Sequence, residues 1–255
     1  MDLNAYIIFG LLAALYLLVF AYRALRKAGV PMVRVVLISC VLIISFLIGA
    51  RLLYGILYFE KILENPYKLF QIKLVNFALY GGLIAAFISW YILCRIFKIN
   101  LFKITDTIVP HLGISLALAK LGCFFNGCCY GKPTEMPWGV VFKNADRNPL
   151  AQVFGDNSFI NFLFGSQAIP RHPTQLYEVF FALLAAAIAF LLLRKKLKPG
   201  IGTAIFLIIY STGRLISFFF RDFPEATNIS NIIRGPVIYG FIIISCVIFT
   251  QISRD

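Results

Sequence analysis

Apolar stretches long enough to cross a bilayer dominate this chain. A transmembrane helix needs about 20 consecutive, mostly apolar residues, because a helix satisfies its own backbone polar groups where no water is present. Seven stretches meet this requirement, with edges good to a few residues: 4–22, 34–58, 74–97, 105–128, 174–193, 200–220 and 233–251. We therefore predict an all-α, polytopic membrane protein, with seven transmembrane helices in a single domain over residues 1–255.

The composition excludes the soluble classes. Hydrophobic residues make up 60% of the chain and charged residues only 14%, whereas a soluble domain carries about a quarter charged residues. The formal net charge of +13 would suggest nucleic acid in a polar chain. Here the basic residues border apolar stretches, so we expect them to face anionic membrane lipids and expect no nucleic-acid partner.

The distribution of basic residues predicts the orientation. Positive charges follow the first, third and fifth stretches: Arg23, Arg26, Lys27 and Arg34; Arg95, Lys98 and Lys103; and Arg194, Lys195, Lys196 and Lys198. Loops rich in Lys and Arg stay in the cytoplasm. We therefore place the amino terminus outside the membrane (N-out) and the carboxyl terminus in the cytoplasm (C-in).

One connection is much longer than the usual loop of a helix bundle. Residues 132–173 join the fourth and fifth stretches on the outer side, and such long connections are commonly functional. They could form an irregular loop outside the membrane or a small folded cap. We predict a cap that covers a site at the outer surface.

Charged residues inside the stretches mark the candidate site. At about 1.5 Å per helical residue, Arg51, Lys120 and Arg214 all fall in the outer half of the bilayer. Charges at such depth are costly and are usually functional. Because these cations lack matching acids, we expect them to bind an anion, and a phospholipid phosphate is the anion present there. Tyr80, His172, Glu178, Arg221 and Arg234 lie near the same outer ends, where Arg221 and Arg234 could instead reach the headgroups.

The string from Gly122 to Pro133 holds Cys123, Cys128 and Cys129. Its glycines let the chain leave the helix and present backbone N–H groups to an anion. The three cysteines could bind a metal, form a disulfide on the oxidising side, or serve as small packing residues. We favour packing, and expect neither a metal nor a cofactor, because no His or further Cys clusters nearby in the sequence.

Three further patterns bear on the site. Gln175 and Glu178 share a helix face where they could meet a cation, or serve only as a cap and a structural ion pair. Arg214 and Arg221 are seven residues apart, which predicts the same side of one helix. Gly81 and Gly82 permit close approach of another helix or of lipid.

Taken together, these strings resemble the bacterial prolipoprotein diacylglyceryl transferase family. The resemblance covers nearly the whole chain: Tyr6 through Arg51, Tyr80–Ile84, Asp106, Gly122–Gly131, His172–Glu178 and Arg214–Arg221. It implies transfer of the diacylglyceryl group of phosphatidylglycerol to the lipobox Cys thiol of a preprolipoprotein, with release of glycerol phosphate. It also implies a bacterial cytoplasmic (inner) membrane location, an active site towards the periplasm and, over residues 132–173, a periplasmic cap.

The resemblance assigns roles to particular residues. It implies catalytic residues at Arg214, Tyr80, Glu178 and His172, and substrate-binding residues at Lys120, Arg51, Tyr6, Asn126, Gly131 and Arg221. Lys120 stands where the family usually has a phosphate-binding Arg. Cys123 and Cys128 replace an Asn and a Glu of many members.

One departure affects the chemistry directly. Tyr80 stands where many members have a His that could deprotonate the thiol, and a phenol with an ordinary pKa of about 10 is a poor base at neutral pH. Glu178 or His172 could serve instead, or the cationic surroundings could favour the thiolate. Two other functions stay open: a related transferase with another lipid donor or acceptor, and a non-catalytic lipid-binding or transport protein.

Overall fold

The computed structural model describes residues 3–57, 59, 79–142, 169–195, 197–222 and 233–253. Within these ranges the chain is helical, and only isolated β-bridges accompany the helices. The helices are α1 (Leu3–Lys27), α2 (Met32–Leu57), α3 (Leu79–Ile96), α4 (Leu101–Phe125), α5 (Thr174–Leu193), α6 (Ile201–Phe220) and, after a π-helical turn at Ile233–Val237, α7 (Ile238–Ile252).

The helices match a membrane protein in length and composition. In the described part of the chain, six helical segments are long and apolar enough to cross a bilayer, and Gly81–Ile96 is a shorter apolar helix. The prediction of an all-helical chain with several membrane spans is therefore confirmed. The count of seven stays a prediction, since residues 74–78 of the third stretch lie outside the described residues.

Several basic residues that the sequence placed in loops lie on helices instead. The helix α1 continues five residues past its predicted end, because cations are favourable in the last turn of a helix. Arg26 Nη1 also donates a hydrogen bond of 3.0 Å to the carbonyl of Val30 beyond the helix end. The residues concerned are Arg23, Arg26, Lys27, Arg34, Arg95 and Lys103.

The chain divides into two compact units, residues 1–21 with 105–255, and residues 22–104. In the second unit, α2 and α3 pack through their glycines. A Cβ at Gly82 would lie 2.7 Å from the Phe46 ring, and one at Gly49 would clash with Ala85 and the Gly81 carbonyl. Gly81 and Gly82 thus allow another helix to approach closely. The sequence had predicted close approach of either a helix or lipid. The single domain over residues 1–255 stays a prediction.

In the first unit, small residues bring α4, α5 and α6 together. Ala182, Ala185, Ala186 and Ala189 form a buried stripe along α5. A Cβ at Gly113 of α4 would lie 2.7 Å from the Ala182 carbonyl oxygen. Close backbone approach of this kind supports helix association within lipid, where packing has to replace the hydrophobic effect. This close packing positions α4, α5 and α6, the three helices that carry the candidate site.

The carboxylate of Asp106 on α4 caps the amino terminus of α6. It accepts hydrogen bonds from the backbone N–H groups of Gly200 and Thr203, both at 2.7 Å, and from the Thr203 hydroxyl at 2.6 Å. We expect Asp106→Ala to lower the free energy of unfolding by about 2 kcal/mol, because the first turn of α6 loses its acceptor. Thermal unfolding in detergent checks this. Asp106→Asn, which keeps one acceptor oxygen, should lose less, and an unchanged midpoint for Asp106→Ala would contradict the capping role.

Candidate active site

The helix α4 ends at Phe125, three residues before the predicted edge, because Gly127 takes a left-handed conformation with φ of 65°. The Gly127 N–H donates to the Phe124 carbonyl at 3.0 Å, and the Cys128 N–H donates to the Cys123 carbonyl at 3.1 Å. This pair of bonds is the Schellman motif, which closes helices at a left-handed glycine. The Gly–Cys string is therefore split between a helix end and a loop.

The same motif gathers the three cysteines. A Schellman turn places the residue after the glycine against the residue five positions earlier, here Cys128 against Cys123. Cys129 then adopts a φ of 64°, unusual for a residue other than glycine, and the chain turns again. The three sulfur atoms lie within 4.8 Å of one another. All six cysteines of the chain are free thiols.

Two cations act on one thiol of this cysteine cluster (Cys123, Cys128 and Cys129). Hydrogen bonds with the Cys123 and Cys128 thiols lower the pKa of Cys129, against the opposing effect of burial, and the charges of Arg221 and Lys120 also lower it. The side chain of Tyr6 lies close enough to interact with all three thiols. A tyrosine that the family resemblance singled out is thus a neighbour of the cluster.

Lys120, Glu178 and Arg214 form an ion triad from three different helices. Lys120 Nζ of α4 lies 2.6 Å from Glu178 Oε2 of α5, and Arg214 Nη1 of α6 pairs with the same oxygen. Glu178 is only 3% exposed. The Nε–H of Arg214 donates to the Tyr239 hydroxyl at 3.0 Å, which fixes the guanidinium from its other side.

The triad corrects the expectation that these cations lack a matching acid. Glu178 lies one turn into α5. In the predicted topology α5 begins on the side of the membrane where α4 and α6 end, so Glu178 lies at the depth of Lys120 and Arg214. Lys120 and Arg214 do gather at one place, as the sequence predicted. The acid between them leaves the triad with one net positive charge instead of two.

The start of α5 is fastened to the loop that follows α4. Gln175 Nε2 donates to the Cys128 carbonyl at 2.7 Å, and the Thr174 hydroxyl donates to the Cys129 carbonyl at 2.8 Å. Gln175 therefore holds the cysteine loop. The shared face with Glu178 had suggested a cation partner, and among the described residues Gln175 is hydrogen-bonded to this carbonyl instead. The loop and the triad are built on the same first turn of α5.

Gly131 lies where three segments meet. Its N–H donates to the His172 carbonyl at 2.8 Å, and it forms an antiparallel bridge with Arg221. A Cβ at this position would lie 2.5 Å from the Phe220 carbonyl oxygen and 2.7 Å from the His172 Cβ. Only glycine fits here without a shift of the surrounding chain.

Gly131→Ala should therefore displace the ends of α5 and α6. We expect the free energy of unfolding to fall by about 1–3 kcal/mol, as for other overpacked sites, and the activity proposed below to fall as well. Thermal unfolding measures the first effect. Gly240→Ala is the matched control, since its added methyl group meets nothing within 4 Å; equal behaviour of the two variants would contradict the steric account.

Arg221 follows the end of α6 and is not part of the helix. Its backbone is extended, with φ of −77° and ψ of 140°. The prediction that Arg221 shares one helix side with Arg214 is therefore wrong, because the helix ends at Phe220. Arg221 instead lies in the bridge with Gly131, where its charge acts on Cys129.

His172 lies beside the triad in sequence but has other partners. Its Nδ1 is hydrogen-bonded to the Tyr177 hydroxyl at 3.0 Å, and the Trp138 indole N–H donates to that hydroxyl at 2.9 Å. Burial lowers the pKa of His172. The hydroxyl of Tyr177 can thus donate its proton to a neutral imidazole, which requires Nδ1 to be the acceptor.

Sequence reasoning missed several supporting residues. Arg171 Nη1 lies 2.7 Å from Asp222 Oδ2, and its guanidinium lies over the Tyr130 ring at 5.1 Å. The signal available was an acid directly after Arg221 and a base before His172. Tyr177 and Tyr239 gave no such signal, because a tyrosine in an apolar stretch resembles any other packing residue.

The other predicted residues lie in the second unit, or their side chains lie outside the described residues. Arg51 lies on α2, in the second unit. The side chains of Tyr80 and Arg234 lie outside the described residues, as do residues 143–168 of the predicted cap. The described flanks of that cap are joined by bridges of Arg171 with Pro133 and Val140.

Comparison with known proteins identifies the family to which the chain belongs. A family model described as prolipoprotein diacylglyceryl transferase matches residues 1–252. The phosphatidylglycerol–prolipoprotein diacylglyceryl transferase of Clostridium tetani is 32% identical over 251 residues, which are 98% of this chain and 92% of that protein. Proteins of the same name from Rickettsia felis (31% identical) and Coxiella burnetii (33%) match 71% and 70% of this chain, and 63% and 61% of their own lengths. The chain therefore belongs to the prolipoprotein diacylglyceryl transferase family.

Proposed function

We propose that this protein transfers the diacylglyceryl group of phosphatidylglycerol to the lipobox cysteine thiol of preprolipoproteins and releases glycerol phosphate. The observation that carries the proposal is the ion triad, in which Lys120 and Arg214 from separate membrane-length helices meet at Glu178. The family match supports the same reaction.

The triad suits an anionic lipid headgroup. At 1.5 Å per residue, the three residues of the triad lie about 6–9 Å from the nearer ends of their helices. These are the carboxyl ends of α4 and α6 and the amino end of α5. One net positive charge at this depth attracts the phosphate of a phospholipid whose acyl chains lie in the membrane. A neutral lipid would gain nothing from it.

Arg214 is the residue best placed to bind and stabilise the phosphate. Tyr239 and Glu178 orient its guanidinium, and a fixed guanidinium can donate two parallel hydrogen bonds to phosphate oxygens. The acceptor thiolate attacks the glyceryl carbon, a C–S bond forms, and the C–O bond to phosphate breaks. The glycerol phosphate leaves with the electron pair, and its growing negative charge is stabilised by Arg214 and by Lys120.

The other candidate residues take roles around this step. We assign Glu178 the positioning of the two cations, and Tyr6, Asn126, Gly131 and Arg221 the shaping of the substrate site. His172 and Tyr80 keep the catalytic roles, and Arg51 the substrate-binding role, that the family resemblance implies.

The topology belongs to the same proposal. Seven spans with the amino terminus outside put the carboxyl end of α4, the amino end of α5 and the carboxyl end of α6 at the periplasmic side of a bacterial cell membrane. The active site then faces the periplasm beneath a cap formed by residues 132–173. The basic residues at the opposite helix ends face anionic lipids of the cytoplasmic leaflet, and no nucleic acid takes part.

A reconstituted assay tests the reaction. The purified full-length protein is given phosphatidylglycerol and a lipobox peptide, and release of glycerol phosphate is followed together with the mass of the peptide. We expect release with the Cys peptide, a diacylglyceryl mass gain on that peptide, and no release with a Ser peptide. Release that is independent of the peptide would indicate a lipid hydrolase and contradict the proposal.

A further inference from the structure

The cysteine cluster has a geometry that packing alone does not require. Its three sulfur atoms lie within 4.8 Å of one another, and all three side chains are partly exposed. A tetrahedral zinc site with Zn–S bonds of about 2.3 Å separates its sulfur atoms by about 3.8 Å. Small rotations of the three side chains close that difference.

The backbone holds the cluster in place before any ligand arrives. The Schellman turn sets Cys123 against Cys128, and Gln175 and Thr174 fasten the carbonyls of Cys128 and Cys129 to α5. Three ligands from one short segment therefore lose little conformational freedom on binding. Metal sites with so few ligands need this kind of support.

Asn126 gives a second, independent sign of a ligand site. Asn126 lies in the same turn, directly before Gly127, and is only 7% exposed. Its Oδ1 has no hydrogen-bond partner among the described residues. A buried amide with an unused acceptor, two residues from one cysteine of the cluster and three from another, is typical of the surroundings of a metal site.

The local charges fit zinc bound by thiolates. Three thiolates and one Zn²⁺ ion carry one net negative charge, which would be costly in an apolar loop. Arg221 forms the bridge with Gly131, two residues after Cys129, and Lys120 precedes Cys123 by about one turn of α4. These two cations offset that charge. Three protein ligands leave the fourth position of a tetrahedral zinc ion open, as in catalytic zinc sites.

We propose that Cys123, Cys128 and Cys129 bind one zinc ion and that its open position binds the acceptor cysteine thiol as a thiolate. This inference rests on the proposed function. It gives the cluster a chemical role in place of the packing role that the sequence favoured.

The site would supply a means to deprotonate the acceptor. A free thiol with a pKa of about 8.5 is mostly protonated at neutral pH, whereas a thiol coordinated to zinc loses its proton. The carboxylate of Glu178 is already paired with two cations. The acceptor thiol releases its proton to water on binding, its sulfur attacks the glyceryl carbon, and the C–O electron pair leaves with glycerol phosphate.

Metal content and zinc X-ray absorption test the site directly. The full-length protein is stripped with a chelator under reducing conditions, reloaded with zinc chloride alone, and washed. We expect about one zinc per chain, with three sulfur neighbours at about 2.3 Å. Cys123→Ser, Cys128→Ser and Cys129→Ser should each lose most of this zinc. Cys40→Ser and Cys246→Ser, on α2 and α7, should retain it.

Addition of the lipobox peptide tests the role of the open position. A fourth sulfur neighbour with the Cys peptide, and none with the Ser peptide, is the expected result. Two results would overturn the inference: no more zinc on the parent protein than on Cys123→Ser, or zinc whose sulfur count stays at three with the Cys peptide.

The two proposals can fail separately. Full glycerol phosphate release by the stripped protein in excess chelator would contradict the zinc inference but not the proposed transferase reaction. Zinc bound by three cysteines that gains a fourth sulfur, in a protein that never releases glycerol phosphate, would uphold the thiol site and reject the proposed reaction.

Discussion

Arg214→Ala should reduce diacylglyceryl transfer by about 1,000-fold or more, while the protein stays folded in the membrane. Removal of one preorganised donor to a developing anion costs about 100- to 1,000-fold, and Arg214 can offer the leaving phosphate two donors. Glu178 keeps its pairing with Lys120, so the variant does not bury an unpaired carboxylate. Initial rates of glycerol phosphate release measure the loss.

Two further variants separate charge from geometry at this position. Arg214→Lys keeps the positive charge but loses the planar fork and the bond from Nε to Tyr239, so we expect partial activity at most. Arg194→Ala, at the exposed opposite end of α5, should leave the rate unchanged. A normal rate for Arg214→Ala, with normal thermal unfolding, would remove the phosphate-binding role of Arg214.

Glu178→Gln should have the largest effect on stability. The substitution keeps the size of the side chain but leaves Lys120 and Arg214, which are each 19% exposed, without their shared carboxylate. Removal of one partner from a buried ion pair costs about 3–5 kcal/mol, and we expect a loss of free energy of unfolding in that range. Transfer should also fall, since Arg214 loses one of the two groups that orient it.

A second substitution shows whether charge repulsion causes that loss. Combining Glu178→Gln with Lys120→Met removes one of the two unpaired cations, so part of the lost stability should return in a double-mutant cycle. Glu135→Gln, at an exposed loop position, serves as the control. If the free energy of unfolding of Glu178→Gln lies within about 0.5 kcal/mol of the parent value, as for surface substitutions, the ion triad does not stabilise the fold.

The sequence predicted the helices well because membrane solvation leaves little choice. An apolar stretch of about 20 residues must be helical in a bilayer, and the described helices fall on the predicted stretches. It also predicted that Lys120 and Arg214 would gather, since each depth follows from counting residues along a helix. The same counting placed Glu178 near that depth, and the prediction that it could meet a cation from a neighbouring helix is confirmed.

Other features depend on backbone conformations that hydropathy does not report. The end of α4 at Phe125 follows from the left-handed Gly127, and the same turn gathers Cys123 and Cys128. The seven-residue spacing of Arg214 and Arg221 predicted one helix side, although the apolar stretch 200–220 ends before Arg221, as α6 does. The contact of Gln175 with the Cys128 carbonyl was not predicted, because a helix face shared with Glu178 says nothing about a neighbouring loop.

An experimental structure with bound phosphatidylglycerol tests the central claim most directly. Our account predicts a phosphate whose oxygens lie about 2.7–2.9 Å from the Arg214 guanidinium and near Lys120 Nζ. A headgroup bound elsewhere, while Lys120 and Arg214 contact only Glu178, would contradict it.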